Sequence, residues 1–164
     1  CAGTGAIALA IASEVPGARV SAVELDEAAL VWTHRNLADT GVEVLAGDAL
    51  EAPDDGRRFD VVVTNPPYLR RVDAPVMPTD VTDHEPDLAL FSGDDGLDLP
   101  RRLIDRAAQL LVPGGLFVME HDDTQREAVT GCMAMTAQWD EIKDHDDLAG
   151  RPRFVTARRR CKDV

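Results

Sequence analysis

The segment Phe59 to Thr64 (FDVVVT) constrains the fold more than any other stretch of the chain. Its last four residues, Val61 to Thr64, form an unbroken apolar and β-branched run, which reads as a strand buried on both faces. A strand of that kind needs cover from two layers, and the order of the other elements supplies it. Ala6 to Ser13 is apolar on nearly every side and reads as a buried helix behind the loop Gly3-Thr4-Gly5. Arg19 to Leu25 is rich in β-branched residues and reads as a strand. Asp26 then caps a helix running to about Asp39, with Leu30, Leu37 and Ala38 on its inner face and Gly41 just past its end. Val42 to Leu45 is a short strand ending at Gly47-Asp48. Strands alternating with helices predict an α/β fold around a parallel sheet.

The strand at Phe59 stops abruptly at Asn65-Pro66-Pro67-Tyr68. About thirty residues without usable periodicity follow, carrying three further prolines, Pro75, Pro78 and Pro86. Compact domains keep so long a loop chiefly as a lid or a binding surface. Asp98 and Pro100 open a helix whose Leu99, Leu103, Ala107, Leu110 and Leu111 keep helical spacing, and Pro113-Gly114-Gly115 ends it. Leu116 to Glu120 reads as a strand and Thr124 to Ala137 as a helix. Trp139 to Ile142 and Arg153 to Arg159 are expected to close the fold as a pair of strands around a turn near Gly150.

Composition narrows the function classes. A length of 164 residues, 45% of them hydrophobic, fits one domain with a sizeable core. No apolar run approaches the roughly 20 residues that span a bilayer, so no membrane partner is expected. Lys and Arg total 17 against 30 Asp and Glu, a net charge of −13, which argues against a grip on duplex nucleic acid. Cys1, Cys132 and Cys161 are far apart and unpaired in spacing, so a reducing, cytoplasmic setting is expected. The histidines His34, His84, His121 and His145 show no ligand spacing, and no metal is expected. Residue 1 is Cys and the chain opens directly into a glycine loop, so it reads as a piece of a longer protein.

Two sets of residues carry chemistry. In Gly3-Thr4-Gly5 the glycines let the backbone approach a ligand closely, and the helix behind them offers free N–H groups and a positive dipole end. Glu24, nineteen residues after Gly5 at a strand end, is placed to accept the hydroxyls of a ribose. Gly3, Gly5 and Ala8 also fit the loose dinucleotide pattern G-x-G-x-x-A, so this loop points to a nucleoside and leaves nicotinamide and other adenosyl cofactors open. Asp48 sits where a carboxylate can accept an exocyclic adenine amine.

Asn65-Pro66-Pro67-Tyr68 lies at the C-terminal end of a strand, where open α/β sheets bind ligands. The two prolines fix the backbone and remove two N–H donors, leaving carbonyls without internal partners. The Asn65 side-chain oxygen and the Pro66 carbonyl can then accept both hydrogens of a planar –NH2 group, while the Tyr68 ring offers a stacking face. Such a nitrogen is a poor nucleophile because its lone pair is delocalised. Fixing both hydrogens aims the lone pair at an electrophile and favours the pyramidal nitrogen that forms as charge develops.

Taken together, the glycine loop, Glu24, Gly47-Asp48 and Asn-Pro-Pro-Tyr resemble a class I S-adenosylmethionine-dependent methyltransferase that methylates amino groups. Glu85-Pro86 with Ala89-Leu90, Asp95-Gly96-Leu97, Pro113-Gly114-Gly115, Glu120-His121 with Gln125, and Ala149-Gly150-Arg151 through Arg153-Phe154 are similar to the release-factor glutamine N5-methyltransferases. The resemblance runs over essentially the whole chain. It implies a Rossmann-like, mostly parallel sheet with an antiparallel C-terminal strand, residues 1–164 forming the catalytic domain. It also implies S-adenosylmethionine as cofactor and a peptide chain release factor as protein substrate, methylated on the glutamine amide of its Gly-Gly-Gln segment. By the same resemblance Gly3, Thr4, Gly5, Glu24, Asp48, Ala49 and Asn65 hold the cofactor. Asn65, Pro66, Pro67, Tyr68 and Glu85 hold the glutamine, with Asn65, Pro66 and Tyr68 catalytic.

The chain departs from the family pattern in places. Cys1 stands where the family has its first loop glycine, and Asp122 where it has Gly after Glu120-His121. The family's first strand, with its acidic residue, and its helical N-terminal domain are missing from the chain. That strand belongs between Arg19–Leu25 and Phe59–Thr64, so both neighbours are expected to expose backbone groups and apolar faces, leaving the isolated chain unstable or inactive. Two other functions use the same residues: an adenine-N6 or cytosine-N4 methyltransferase acting on a flipped base, and a cofactor-binding fragment without activity. His34, His84, Trp32, Trp139 and Arg158-Arg159-Arg160 read as solvated or packing residues.

Overall fold

In the computed structural model, which describes residues 1–77 and 85–161, the chain falls into two units, Cys1–Arg57 and Arg58–Val164. Pro78, His84 and Lys162 lie outside the described residues.

The first unit contains α1 (Ala6–Glu14), β1 (Ser21–Glu24), α2 (Glu27–Leu37) and β2 (Glu43–Ala46). β1 and β2 pair in parallel from Ser21↔Glu43 to Glu24↔Ala46. Helix α2 begins where sequence chemistry places it: the Asp26 side chain accepts the Ala29 N–H at 2.9 Å, a standard N-cap. It stops at Leu37 and leaves Ala38 exposed beyond its end, so Ala38 is not on the inner face. The core of this unit is Ala8, Ala22 and Leu37, with Leu9, Val20, Val42 and Val44 packed against it. The expectation of a fully buried α1 is corrected. Only Ala8 of that helix is buried and Ile7 is 42% exposed. A two-stranded sheet is too narrow to cover a helix that is apolar on every side.

The second unit contains β3 (Phe59–Thr64), a 3-10 turn (Arg71–Val76), α3 (Asp87–Leu90), α4 (Asp98–Leu110), β4 (Leu111–Glu120), α5 (Arg126–Met135), β5 (Trp139–Asp146) and β6 (Pro152–Arg159). The strand order is β3-β4-β6-β5, with β3 and β4 parallel and β6 antiparallel to both its neighbours. Helices α4 and α5 send Ile104, Ala107, Ala108, Val129 and Met133 onto the sheet face that carries Phe117, Met119, Val155 and Ala157. Pro113-Gly114-Gly115 lies inside β4 instead of ending a helix. It forms an irregularity in the pairing with β3, between the Phe59↔Leu111 and Val61↔Leu116 pairs.

β3 has the bounds read from the sequence, and Asp60 and Val61 are exposed, as expected for a strand with a bare apolar face. Among the described residues β3 pairs only with β4 and β1 only with β2. Both strands expected to flank the missing one therefore have a single partner. The segment read as aperiodic is partly ordered: its 3-10 turn contains Pro75, and Leu69 bridges Phe91 in parallel. Among the described residues no helix is long and apolar enough to cross a membrane.

Candidate functional site

The glycine loop of the first unit is held by the main chain, the Glu24 carboxylate and the side chains of Thr33 and Asn36. Gly5, at φ 84, is the N-cap of α1, and a Cβ there would stand 2.9 Å from Leu37 Cδ1. Only glycine tolerates both that backbone angle and that proximity. Gly3, at φ 56, has open space around its absent side chain. Its carbonyl accepts from the Thr33 hydroxyl at 2.6 Å, and the exposed Thr4 presents its carbonyl to Asn36 Nδ2 at 2.9 Å. Helix α1 has no side-chain N-cap, so its first N–H groups are left to a ligand or water.

Glu24 is 7% exposed. Its Oε2 accepts Gly3 N–H at 2.7 Å, and its Oε1 accepts Leu25 and Asp26 N–H, each at 2.9 Å. Burial alone raises the carboxyl pKa. The N–H groups of Asp26, Gly3 and Leu25 act against it, and Glu24 titrates below the usual carboxylate range. With three main-chain donors bound, a carboxylate of about four acceptor sites keeps one free, so Glu24 clasps the glycine loop and retains an acceptor. Asp48 is half-buried and its Oδ1 accepts Leu50 N–H at 2.9 Å, beside the half-buried Ala49.

The second unit carries the Asn-Pro-Pro-Tyr turn at the end of β3. Asn65 is exposed, Pro66 fully buried, and Pro67 and Tyr68 half-buried. The Tyr68 hydroxyl donates to Glu120 Oε1 at 3.0 Å. Burial and the Glu120 charge push that hydroxyl up to about 12 against the opposing effect of Arg153, so Tyr68 stays a neutral phenol with its ring fixed in place. Beyond the turn, Leu69 N–H donates to Leu90 O at 2.9 Å and Ser92 N–H to Leu69 O at 3.0 Å, which ties the turn to the segment after α3. A cavity of about 100 Å³ adjoins it, lined by Tyr68, Leu69, Arg70, Asp73, Asp122, Thr124 and Gln125. Asp122 is also partly buried, which raises its carboxyl pKa. The Thr124 hydroxyl and N–H, at 2.6 and 3.0 Å, with Arg153 and His121, reverse that and hold it low. Glu85 is exposed, two residues before α3.

Asn65 to Tyr68 lie at a strand end as the sequence predicts, and Glu120-His121, readable from the sequence as either a substrate-loop contact or a structural pair, lies beneath them. Glu120 is the partner of Tyr68, and His121 is fully buried with Nε2 2.7 Å from Asp144 Oδ2. The signal for Gln125 was its spacing from Glu120-His121, which the resemblance singled out without giving Gln125 a role.

Residues 1–79 match the methyltransferase small domain family. The chain is 51% identical over 160 residues to the release factor glutamine methyltransferase of Streptomyces coelicolor, covering 97% of this chain and 57% of that protein. Over nearly its whole length the chain is similar to release factor glutamine methyltransferases. It spans little more than half the length of the curated relatives it matches. A second kind of relative in this comparison is the 4-amino-L-phenylalanine/4-methylamino-L-phenylalanine methyltransferase of Streptomyces pristinaespiralis. That protein is 41% identical over 143 residues, with coverage of 85% of this chain and 48% of its own. Among solved structures, a SAM-dependent O-methyltransferase from Thermotoga maritima superposes with a TM-score of 0.69 at 16% identity, covering 99% of this chain and 58% of that one. The fold is that of the class I methyltransferases.

Proposed function

We propose that the protein of which residues 1–164 form the catalytic domain transfers a methyl group from S-adenosylmethionine to a glutamine side-chain amide of a peptide chain release factor, in its Gly-Gly-Gln segment, in the cytoplasm. The observation that carries this reading is the Asn65-Pro66-Pro67-Tyr68 turn at the end of β3, in a chain half identical to a protein named for that reaction.

The glycine loop fits an adenosyl cofactor with a carboxylate end: α1 starts with uncapped N–H groups and Gly3 leaves open space above the loop. We assign Gly3, Thr4, Gly5, Glu24, Asp48, Ala49 and Asn65 to holding it. Bound there, the cofactor supplies an electrophilic methyl carbon on a sulfonium sulfur. Asn65 and the Pro66 carbonyl accept the two amide hydrogens, Tyr68 and Pro67 pack against the flat amide, and Glu85 anchors the segment beside it. Holding the amide in one orientation is worth roughly 7–11 kcal/mol of barrier at best. None of these residues takes a proton: a tyrosine titrating at about 12 and tethered to Glu120 positions the ring and leaves deprotonation of the product nitrogen to solvent.

The relative named for 4-amino-L-phenylalanine supports a second reading, methylation of a small aryl amine, whose –NH2 suits the same pair of acceptors. Full-length protein with labelled cofactor, offered release factor, 4-aminophenylalanine or nucleic acid in separate reactions, separates these functions. Label is expected on the release factor glutamine. Label only on the aryl amine or on a base overturns the first reading.

A further inference from the structure

The acceptor turn is held from beneath by one buried amide. Gln125, 6% exposed, stands just before α5, and its Nε2 donates to Tyr68 O at 2.8 Å and reaches Asp95 O at 3.3 Å. Its Oε1 accepts Asp122 N–H at 3.0 Å. Two carbonyls on one side and an N–H on the other fix the amide's orientation: flipped, it would set oxygen against oxygen twice. A third wall is Gly96, at φ +76, where a Cβ would stand 2.1 Å from Tyr68 O and 2.7 Å from Gln125 Nε2. Behind Gln125, His121 Nδ1 lies 2.8 Å from Asp122 O while its Nε2 faces Asp144, which Arg126 Nε also binds at 2.7 Å.

We propose that Gln125 is a positioning residue for methyl transfer: its amide sets the height and angle of the Tyr68 peptide, and through it the acceptors of Asn65 and Pro66. This inference rests on the reading that the turn holds the acceptor nitrogen. The side chain must be an amide. A carboxylate of the same shape loses both donors and turns an acceptor toward two carbonyls, and a methyl group leaves three main-chain groups without partners.

The test uses the full-length protein as wild type, Gln125→Glu, Gln125→Ala and Gln125→Asn. Backbone amide exchange is followed at Tyr68 and Leu69, and at Phe117 and Val155 as core references, alongside cofactor affinity and release-factor kinetics. Expected are exchange at Tyr68 and Leu69 faster by about tenfold or more in the Glu and Ala variants, with Phe117 and Val155 unchanged. The expected fall in kcat is about 10- to 100-fold, with cofactor Kd within about twofold, because a misplacement near 1 Å suffices for that loss. Unchanged exchange at Tyr68 and Leu69, or unchanged kcat in variants whose turn is loosened, overturns the proposal. So does equal loosening of Phe117 and Val155, which marks a merely structural residue. The exchange arm needs no methyl acceptor. If wild type leaves release factor unmethylated while Gln125→Glu still frees the turn selectively, the substrate reading fails and the support of the turn by Gln125 stands.

Discussion

In Cys1–Arg57 the buried apolar core is Ala8, Ala22 and Leu37, whereas in Arg58–Val164 twelve buried residues among those described, Phe117, Met119, Met133 and Trp139 included, form one cluster. The ligand-facing loops differ in the same sense. The glycine loop is tied by polar side chains, Glu24 on Gly3 N–H, Thr33 on Gly3 O and Asn36 on Thr4 O, while the Asn-Pro-Pro-Tyr turn sits on a packed sheet and is braced by Glu120 and Gln125. A loop held by polar contacts over a small core opens at low free energy, and a turn built on a large core opens only with it. The first unit is thus sensitive to charge and pH, and the second to packing and to the placement of a few amides.

The largest expected effect tests the packed half. Phe117→Ala removes a fully buried ring stacked 5.2 Å from Trp139 and should cost about 3–5 kcal/mol in the urea stability of full-length protein. A loss below about 1 kcal/mol would remove the contrast between the units. Next comes Asn65→Ala, which leaves the core untouched because Asn65 is exposed. By analogy with loss of one oxyanion donor, release-factor turnover should fall about 10²- to 10³-fold, well beyond the accompanying loss of cofactor affinity by calorimetry. Near-normal turnover would show that the turn does not clamp the amide.

What the sequence disclosed follows from how local each signal is. The bounds of β3, the Asp26 cap and the positive-φ glycines are set by neighbouring residues, and all are where the pattern places them. The burial of α1 depends on what lies beside it, and Ile7, expected to be covered, is 42% exposed, whereas Val61, at 47%, is bare on the strand expected to expose its apolar face. In the site, the Asn-Pro-Pro-Tyr turn was legible because two prolines allow few backbones. Glu24 as a clasp and Gln125 as a brace were not, since their partners are main-chain groups 21 and 57 residues away, which no side-chain pattern announces.

The next effect is specific to the polar half. Glu24→Gln leaves a buried site with one acceptor oxygen where three N–H groups converge, and should cost about 1–3 kcal/mol, with weaker cofactor binding. The charged form of Glu24 is the one folding favours, since its pKa drops below 4.5 in the folded state. Its contribution is therefore complete above the unfolded carboxylate pKa and drains away as pH falls below 4.5 through the lowered value. An acid titration followed by exchange at Gly3 and Asp26 should show this loss in wild type and none in Glu24→Gln. A titration profile shared by both proteins would show that another group controls the loop.

The smallest effect links the two features of the first unit. Asp26→Ala deletes the N-cap of α2 and should cost about 1 kcal/mol. The helix it starts carries Thr33, whose hydroxyl donates to Gly3 O, and Leu37, which packs where a side chain on Gly5 would stand. Fraying of α2 at its first turn should therefore reach the glycine loop as a faster exchange at Gly3 and a cofactor affinity lower by about twofold to fivefold, a fraction of the lost cap energy. Phe117 and Val155 should exchange at wild-type rates. If they accelerate with Gly3, the small core of Cys1–Arg57 and the large core of Arg58–Val164 open together, and the separation of a polar, easily opened half from a packed one is wrong.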